Sequence, residues 1–123
     1  MVIHEEWLLK AQRDLDTANA LLEKAYYDTA IYHTQQCAEK ALKAYCVYNL
    51  QPLVKTHDLE KILRICINLD SSFQDLDLFA TSLNGLDVRF RYPDIEFEPE
   101  EIEVIDAIDW SKQILDFVKS KCV

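Results

Sequence analysis

Hydrophobic positions recur at helical spacing in five segments of this chain. Leu8, Ala11, Leu15, Ala18, Leu22 and Ala25 step by three and four, which predicts a first helix from about Ile3 to Lys24. Trp7 lies beside that stripe, and Arg13, Asp14 and Asp16 fall off it, where solvated positions are expected. Tyr26-Tyr27-Asp28 is too short for more than a tight connection, so a second helix should return antiparallel with Asp28 as its N-cap. Its stripe is Ala30, Thr34, Cys37, Ala41, Ala44 and Tyr48, mostly small residues that let a neighbouring helix come close. It should end near Asn49, before Pro52. Thr56 is the N-cap candidate of a third helix with a buried side of Leu59, Ile62, Leu63, Cys66 and Leu69, which puts His57 in its first turn. Ser72 and Asp75 read as the start of a short fourth helix carrying Leu76, Phe79, Ala80 and Leu83, closed by Gly85. Leu86 to Glu98 reads as an extended loop pinned by Val88, Phe90 and Tyr92. Pro99 should open a last helix whose stripe is Val104, Ile108, Ser111, Leu115 and Val118, supported by Ile105 and Trp110.

The pattern is therefore all-α, and composition agrees. A chain of 123 residues is the length of one domain, residues 1–123, and with half its residues hydrophobic it has ample material for a core. One glycine and three prolines leave few turn signals, which argues for long helices. The net charge of −9 disfavours duplex DNA, which needs clustered Lys and Arg. No apolar run approaches the ~18 residues of a membrane span, and the N-terminus lacks a signal-peptide pattern, so a soluble cytoplasmic protein without a membrane partner is expected. Cys37, Cys46, Cys66 and Cys122 are scattered and read as free thiols near the core. No Cys or His pair has zinc-ligand spacing, so no metal is expected. From Asp94 to Asp109 there are eight acids and no Lys or Arg; those at the start of the last helix are explained by its dipole.

Candidate chemistry is sparse. There is no P-loop, no Rossmann glycine pattern and no nucleophile elbow, hence no cofactor signature. Cys37 and His33 stand one helical turn apart, but a cysteine on a small apolar seam reads as core. On the second helix, Gln36, Glu39, Lys40 and Lys43 share a wedge of roughly 100°. That wedge is either a solvated face with local ion pairs or a set of donors for an anionic ligand; spacing alone leaves both open. His57 is likewise either a local hydrogen-bonding residue or a ligand contact.

Three motifs in this order, Gln36-x-x-Glu39-Lys40-x-x-Lys43-Ala44, Thr56-His57-Asp58-Leu59 and Arg91-Tyr92-Pro93-Asp94, make the chain resemble the HEPN (higher eukaryotes and prokaryotes nucleotide-binding) family over nearly its whole length. Trp7 and Asp14-Leu15 fit as well. The resemblance implies an up-and-down four-helix bundle with a short extra helix, often paired as a homodimer. It also implies a partner role beside a minimal nucleotidyltransferase in a toxin–antitoxin type system. Its ribonuclease members carry Arg, four to six residues, then His; here no Arg has a His at that distance downstream. The expectation is therefore a nucleotide- or RNA-binding module, with a ribonuclease using other residues, or a structural dimerisation module, as alternatives. The residues carried over as ligand contacts are Lys40, Lys43, His57 and Arg91 for a phosphate or RNA backbone, with Gln36 and a base-stacking Tyr92. A homodimer would also help cover Trp7, Tyr26, Tyr27, Tyr32, Tyr45 and Tyr48, which a small bundle cannot all hide.

Overall fold

The computed structural model describes residues 3–91 and 98–123, with only the backbone described for Asp87 and Arg91. Tyr92, Pro93 and Asp94, and the expectations placed on them, lie outside the described residues. The elements in order are α1 (His4–Glu23), α2 (Tyr27–Tyr48), α3 (Leu59–Leu69), a 3-10 turn (Ser71–Leu76), α4 (Asp77–Leu83), α5 (Leu86–Arg91) and α6 (Glu101–Lys121). No strand occurs among the described residues, and the fold is the expected helical bundle.

Everything is built on α2. Helices α1, α3, α4, α5 and α6 all pack against it, and thirteen of its 22 residues are buried. Ala30, Ala38, Ala41 and Ala44 have no exposed surface; their small side chains let neighbours close in on several sides of one helix. Ile31 and Leu42 of α2, Leu63 of α3, Phe73 of the 3-10 turn and Leu115 of α6 supply the bulk of the shared core. Truncating any one of these Leu or Ile side chains to Ala costs about 2–5 kcal/mol, a large share of the roughly 5–15 kcal/mol that holds a domain together.

Helix directions follow from contacts at the ends. The His4 ring meets Tyr48 at 4.9 Å between centroids, so α1 and α2 are antiparallel. Cys37 Sγ lies 3.9 Å from the Ser111 carbonyl and the Tyr48 hydroxyl donates to the Val123 carbonyl at 3.0 Å, so α6 runs in the same sense as α2. The α2–α3 link is a return segment. His57 sits beside Glu39, nine residues back from the end of α2 and about 14 Å along its axis, so residues 49–58 travel back along the bundle before α3 begins.

Several local expectations are corrected. Ala25 is not on the α1 stripe: with φ 60 it closes the helix, as Tyr26 N–H donates to Leu21 at 2.9 Å and Ala25 N–H to Leu22 at 3.1 Å, and it is exposed. The N-cap of α2 is Tyr26; Asp28 lies inside the first turn, where the dipole favours it. The N-cap of α3 is Asp58, whose carboxylate accepts from Glu60 and Lys61 N–H, while Thr56 accepts from Asp58 N–H at 3.1 Å; His57 therefore precedes the helix. Residues 86–91 are helical, not extended: Gly85 turns the chain at φ 81, and Phe90 is buried. The alternation of Val88 and Phe90 suggested an extended run because two apolar residues do not distinguish a strand from one helical turn. Pro99 lies before α6, which is capped by Glu100 with Glu103 in a reciprocal capping box. Tyr48, Leu69 and Ile105, at the margins of their stripes, are exposed.

Asp70 links two of these elements. Its Oδ1 accepts from the Ser72 hydroxyl at 2.7 Å and the Ser72 N–H at 2.9 Å, and Lys121 of α6 lies 3.1 Å from its Oδ2. The Ser72 hydrogen bonds first, then Lys121, hold its carboxyl down at about 2, below its ordinary 3.8. The folded protein thus takes up this proton less readily than the unfolded chain. The stability Asp70 contributes is complete above its ordinary value and is lost as pH falls through about 2. An Asp70→Asn variant should be less stable than the wild type at pH 6, with the gap closing between pH 4 and 2. Urea midpoints across that range check it, and a gap that stays constant would show that the charge of Asp70 is irrelevant.

Candidate functional site

Helical spacing sets Tyr32, Gln36 and Lys40 in one row of α2 and Gln35, Glu39 and Lys43 in the next. The return segment crosses the second row. Its end is pinned by Asn84, which accepts from Leu59 N–H at 2.9 Å and donates to Asp58 Oδ1 at 3.1 Å. That clamp places His57 over Glu39, with Nδ1 at 3.1 Å from both carboxylate oxygens. Lys43 reaches the same carboxylate from one turn further along, 2.9 Å from Oε2. The Glu39 and Lys43 side chains are each only 8% exposed, whereas the His57 side chain is 82% exposed. The buried pair is therefore internal, and His57 is its outward-facing member.

Beside it opens a cleft of about 360 Å³. Tyr32, Gln35 and Gln36 of α2 form one wall, His57 sits at the rim, and Asn84, Gly85 and Val88 of the α4–α5 corner close the other side. A second charged cluster lies where α1 crosses α2. Asp14 holds His33 Nδ1 at 2.9 Å through Oδ1 and Lys40 Nζ at 2.6 Å through Oδ2. Asp14 is buried, contrary to its expected solvation, because it follows Ala11 by one turn and flanks the packed side of α1.

The structure thus distributes the sequence-derived residues unevenly. Gln36 and His57 share the cleft. Lys43 joins His57 only through Glu39. Lys40 turns to Asp14, so the two lysine ammonium groups are held by different carboxylates and do not form one cationic pair. Arg91 ends α5, three residues beyond Val88 in the cleft wall, and Tyr92 lies outside the described residues. Glu39 carries more of the site than the sequence reading gave it. The missed signal was its i,i+4 spacing to Lys43, which faces it, unlike adjacent Lys40. Tyr32 and Gln35 had no sequence signal beyond lying one turn before Gln36 and Glu39.

Cysteine chemistry does not enter this site. Cys37 is fully buried, and burial first, then the nearby Asp14 charge, pushes its thiol up to about 12. His33, its sequence neighbour, is occupied by Asp14. Cys46 and Cys66 are also buried, with sulfurs 4.0 Å apart.

The pattern that defines the HEPN domain matches residues 4–121. The chain belongs to the HEPN family. It is 42% identical, over an alignment 134 positions long, to a Methanocaldococcus jannaschii protein named "Putative toxin MJ1304", a match that takes in 94% of this chain and 88% of the relative. Among solved structures it resembles ST0689, described as an archaeal HEPN homologue, with a TM-score of 0.78, 28% identity and full coverage of both chains. It also resembles TT1696 from Thermus thermophilus, with a TM-score of 0.81 and 28% identity over 96% of this chain and 97% of that one. In this HEPN chain the motif residues of α2 and the return segment meet around Glu39, and this convergence gives the Glu39, Lys43 and His57 spacing a physical basis.

Breaking the buried pair should be costly. Lys43→Met leaves the Glu39 carboxylate without its cation in a buried position and should lower stability by about 3 kcal/mol or more. Lys40→Met, which disturbs a partly exposed pair, should cost clearly less. Urea unfolding at pH 7 compares the two, and equal midpoints would show that the Glu39–Lys43 pair is not part of the core.

Proposed function

We propose that residues 1–123 act as one HEPN-type module that binds a nucleotide or RNA and works as the partner subunit of a minimal nucleotidyltransferase. The observation that carries this reading is the cleft beside α2, which His57 and Gln36 both line and where His57 is held by the buried Glu39–Lys43 pair. An internally neutralised ion pair that holds the histidine at the cleft's rim supplies a rigid base for recognition. The toxin in the name of the M. jannaschii relative supports a toxin–antitoxin setting for the pair. The charge of −9 supports a single-stranded or small ligand over duplex DNA. No helix among the described residues is long and apolar enough to cross a membrane, which supports a cytoplasmic setting. Exposed Leu9 and half-buried Trp7 on α1 support a homodimer, since pairing would cover them.

One observation favours ribonuclease activity as a second reading. A histidine whose Nδ1 is held by a buried carboxylate has the arrangement of a general base, although the Arg-x(4–6)-His spacing is absent. Both readings are tested on the chain isolated from its source with its bound components. Mass spectrometry should identify a nucleotidyltransferase in stoichiometric amount, together with nucleotide or RNA. In calorimetry with that ligand, Gln36→Ala and His57→Ala should each weaken binding by roughly tenfold, with melting temperatures nearly unchanged. Neither component in the isolate would reject the proposal. RNA cleavage by the pure chain in chelator, abolished by His57→Ala, would select the ribonuclease.

A further inference from the structure

We infer that the cleft beside α2 recognises the nucleobase of its ligand, by an unpaired base edge and an aromatic face, and leaves the phosphates outside. This rests on the nucleotide- or RNA-binding reading and gives it a ligand chemistry.

The first ground is charge. The described wall of the cleft is made of amides, a phenol, an imidazole and small or apolar groups, with no Lys or Arg. The nearest lysines of α2 are already occupied: Lys40 by Asp14 at 2.6 Å, and Lys43 by Glu39 at 2.9 Å below the surface. Phosphate recognition rests on cations or on clustered N–H groups aimed at the anion. Among the described residues, the lysines beside the cleft are spent on the protein's own carboxylates, which matches it to a neutral, hydrogen-bonding ligand group.

The second ground is the pattern of groups that remain. Gln36 is half-buried and its side-chain amide has no hydrogen bond to any described residue, so that amide presents one acceptor and two donors to the cleft. A Gln amide pairs in bidentate fashion with a base edge that offers an adjacent donor and acceptor. His57 adds its second ring nitrogen. Its Nδ1 is held by the Glu39 carboxylate, which is also paired with Lys43, so Nε2 is the nitrogen left to meet a base edge. Tyr32 is 43% exposed and braced edge-on by His33 at 5.2 Å, which gives a planar base an aromatic surface in the same cleft. A volume of about 360 Å³ falls at the small end of ligand sites, the scale of a base with its sugar.

Base edges are hidden in a duplex, so the cleft should take unpaired bases only. The test is calorimetry on the full chain with four ribonucleosides, their triphosphates, ribose 5-phosphate, pyrophosphate, a short single-stranded RNA and the same RNA closed into a hairpin stem. At least one nucleoside should bind within about threefold of its triphosphate, ribose 5-phosphate and pyrophosphate should not compete, and the stem should lose binding. Gln36→Glu, which exchanges two donors for acceptors at nearly constant shape, should change the order of preference among the four bases. Tyr32→Leu should weaken all nucleosides by roughly tenfold with a wild-type melting temperature. Affinity that climbs tenfold with each added phosphate, or displacement by pyrophosphate, would overturn base recognition while leaving the nucleotide-binding reading intact. No binding of any nucleoside, nucleotide or RNA would reject both.

Discussion

Surrounding one helix with neighbours is the constraint on which the rest of this molecule depends. α2 meets α1, α3, α4, α5 and α6, and a helix enclosed on so many sides must fill its close approaches with alanine, cysteine and threonine. The same enclosure removes two charged residues, Glu39 and Lys43, from water. Burying either charge alone is costly, so each requires the other, and their i,i+4 spacing supplies the contact without any adjustment of the backbone.

That pair then organises what lies above it. The return segment between α2 and α3 brings His57 back over Glu39, and Asn84 at the end of α4 ties the segment down through Leu59 and Asp58. Three elements distant in sequence thereby meet at one place: the middle of α2, the approach to α3 and the α4–α5 corner. The Ser72, Asp70 and Lys121 contacts do similar work at the opposite end, joining the end of α3 to the end of α6. In both places a carboxylate accepts hydrogen bonds from more than one element, which orients side chains that surface ion pairs would leave mobile.

The electrostatic result is unusual for a module of this acidity. Its central lysines do not reach outward for an anion; Lys43 neutralises Glu39 and Lys40 neutralises Asp14. Among the described residues, the cleft is lined by amides, an imidazole, a phenol, Gly85 and Val88. Hydrogen-bond pattern and shape are less sensitive to salt than charge.

The sequence by itself determined the helical class, the places of the main helices and the small-residue seam of α2, because periodicity and the near absence of glycine act locally along the chain. Ala30, Thr34, Cys37, Ala41 and Ala44 are buried as their spacing requires. It also marked Gln36 and His57 as residues to consider. Local pattern could not set helix ends governed by backbone closure at Ala25 or by the Asp58 cap, nor the short helix after Gly85. Above all it could not say which acid each cation would meet. Asp14 looked solvated and Lys40 and Lys43 looked like partners, because burial and the crossing of α1 and the return segment over α2 exist only in the folded chain. Tertiary packing decided that Glu39 and Lys43 would pair inside the protein and that the amide of Gln36 would line the cleft. Burial imposes a high free-energy cost on an unpaired ion and a much lower one on an amide left at the edge of water.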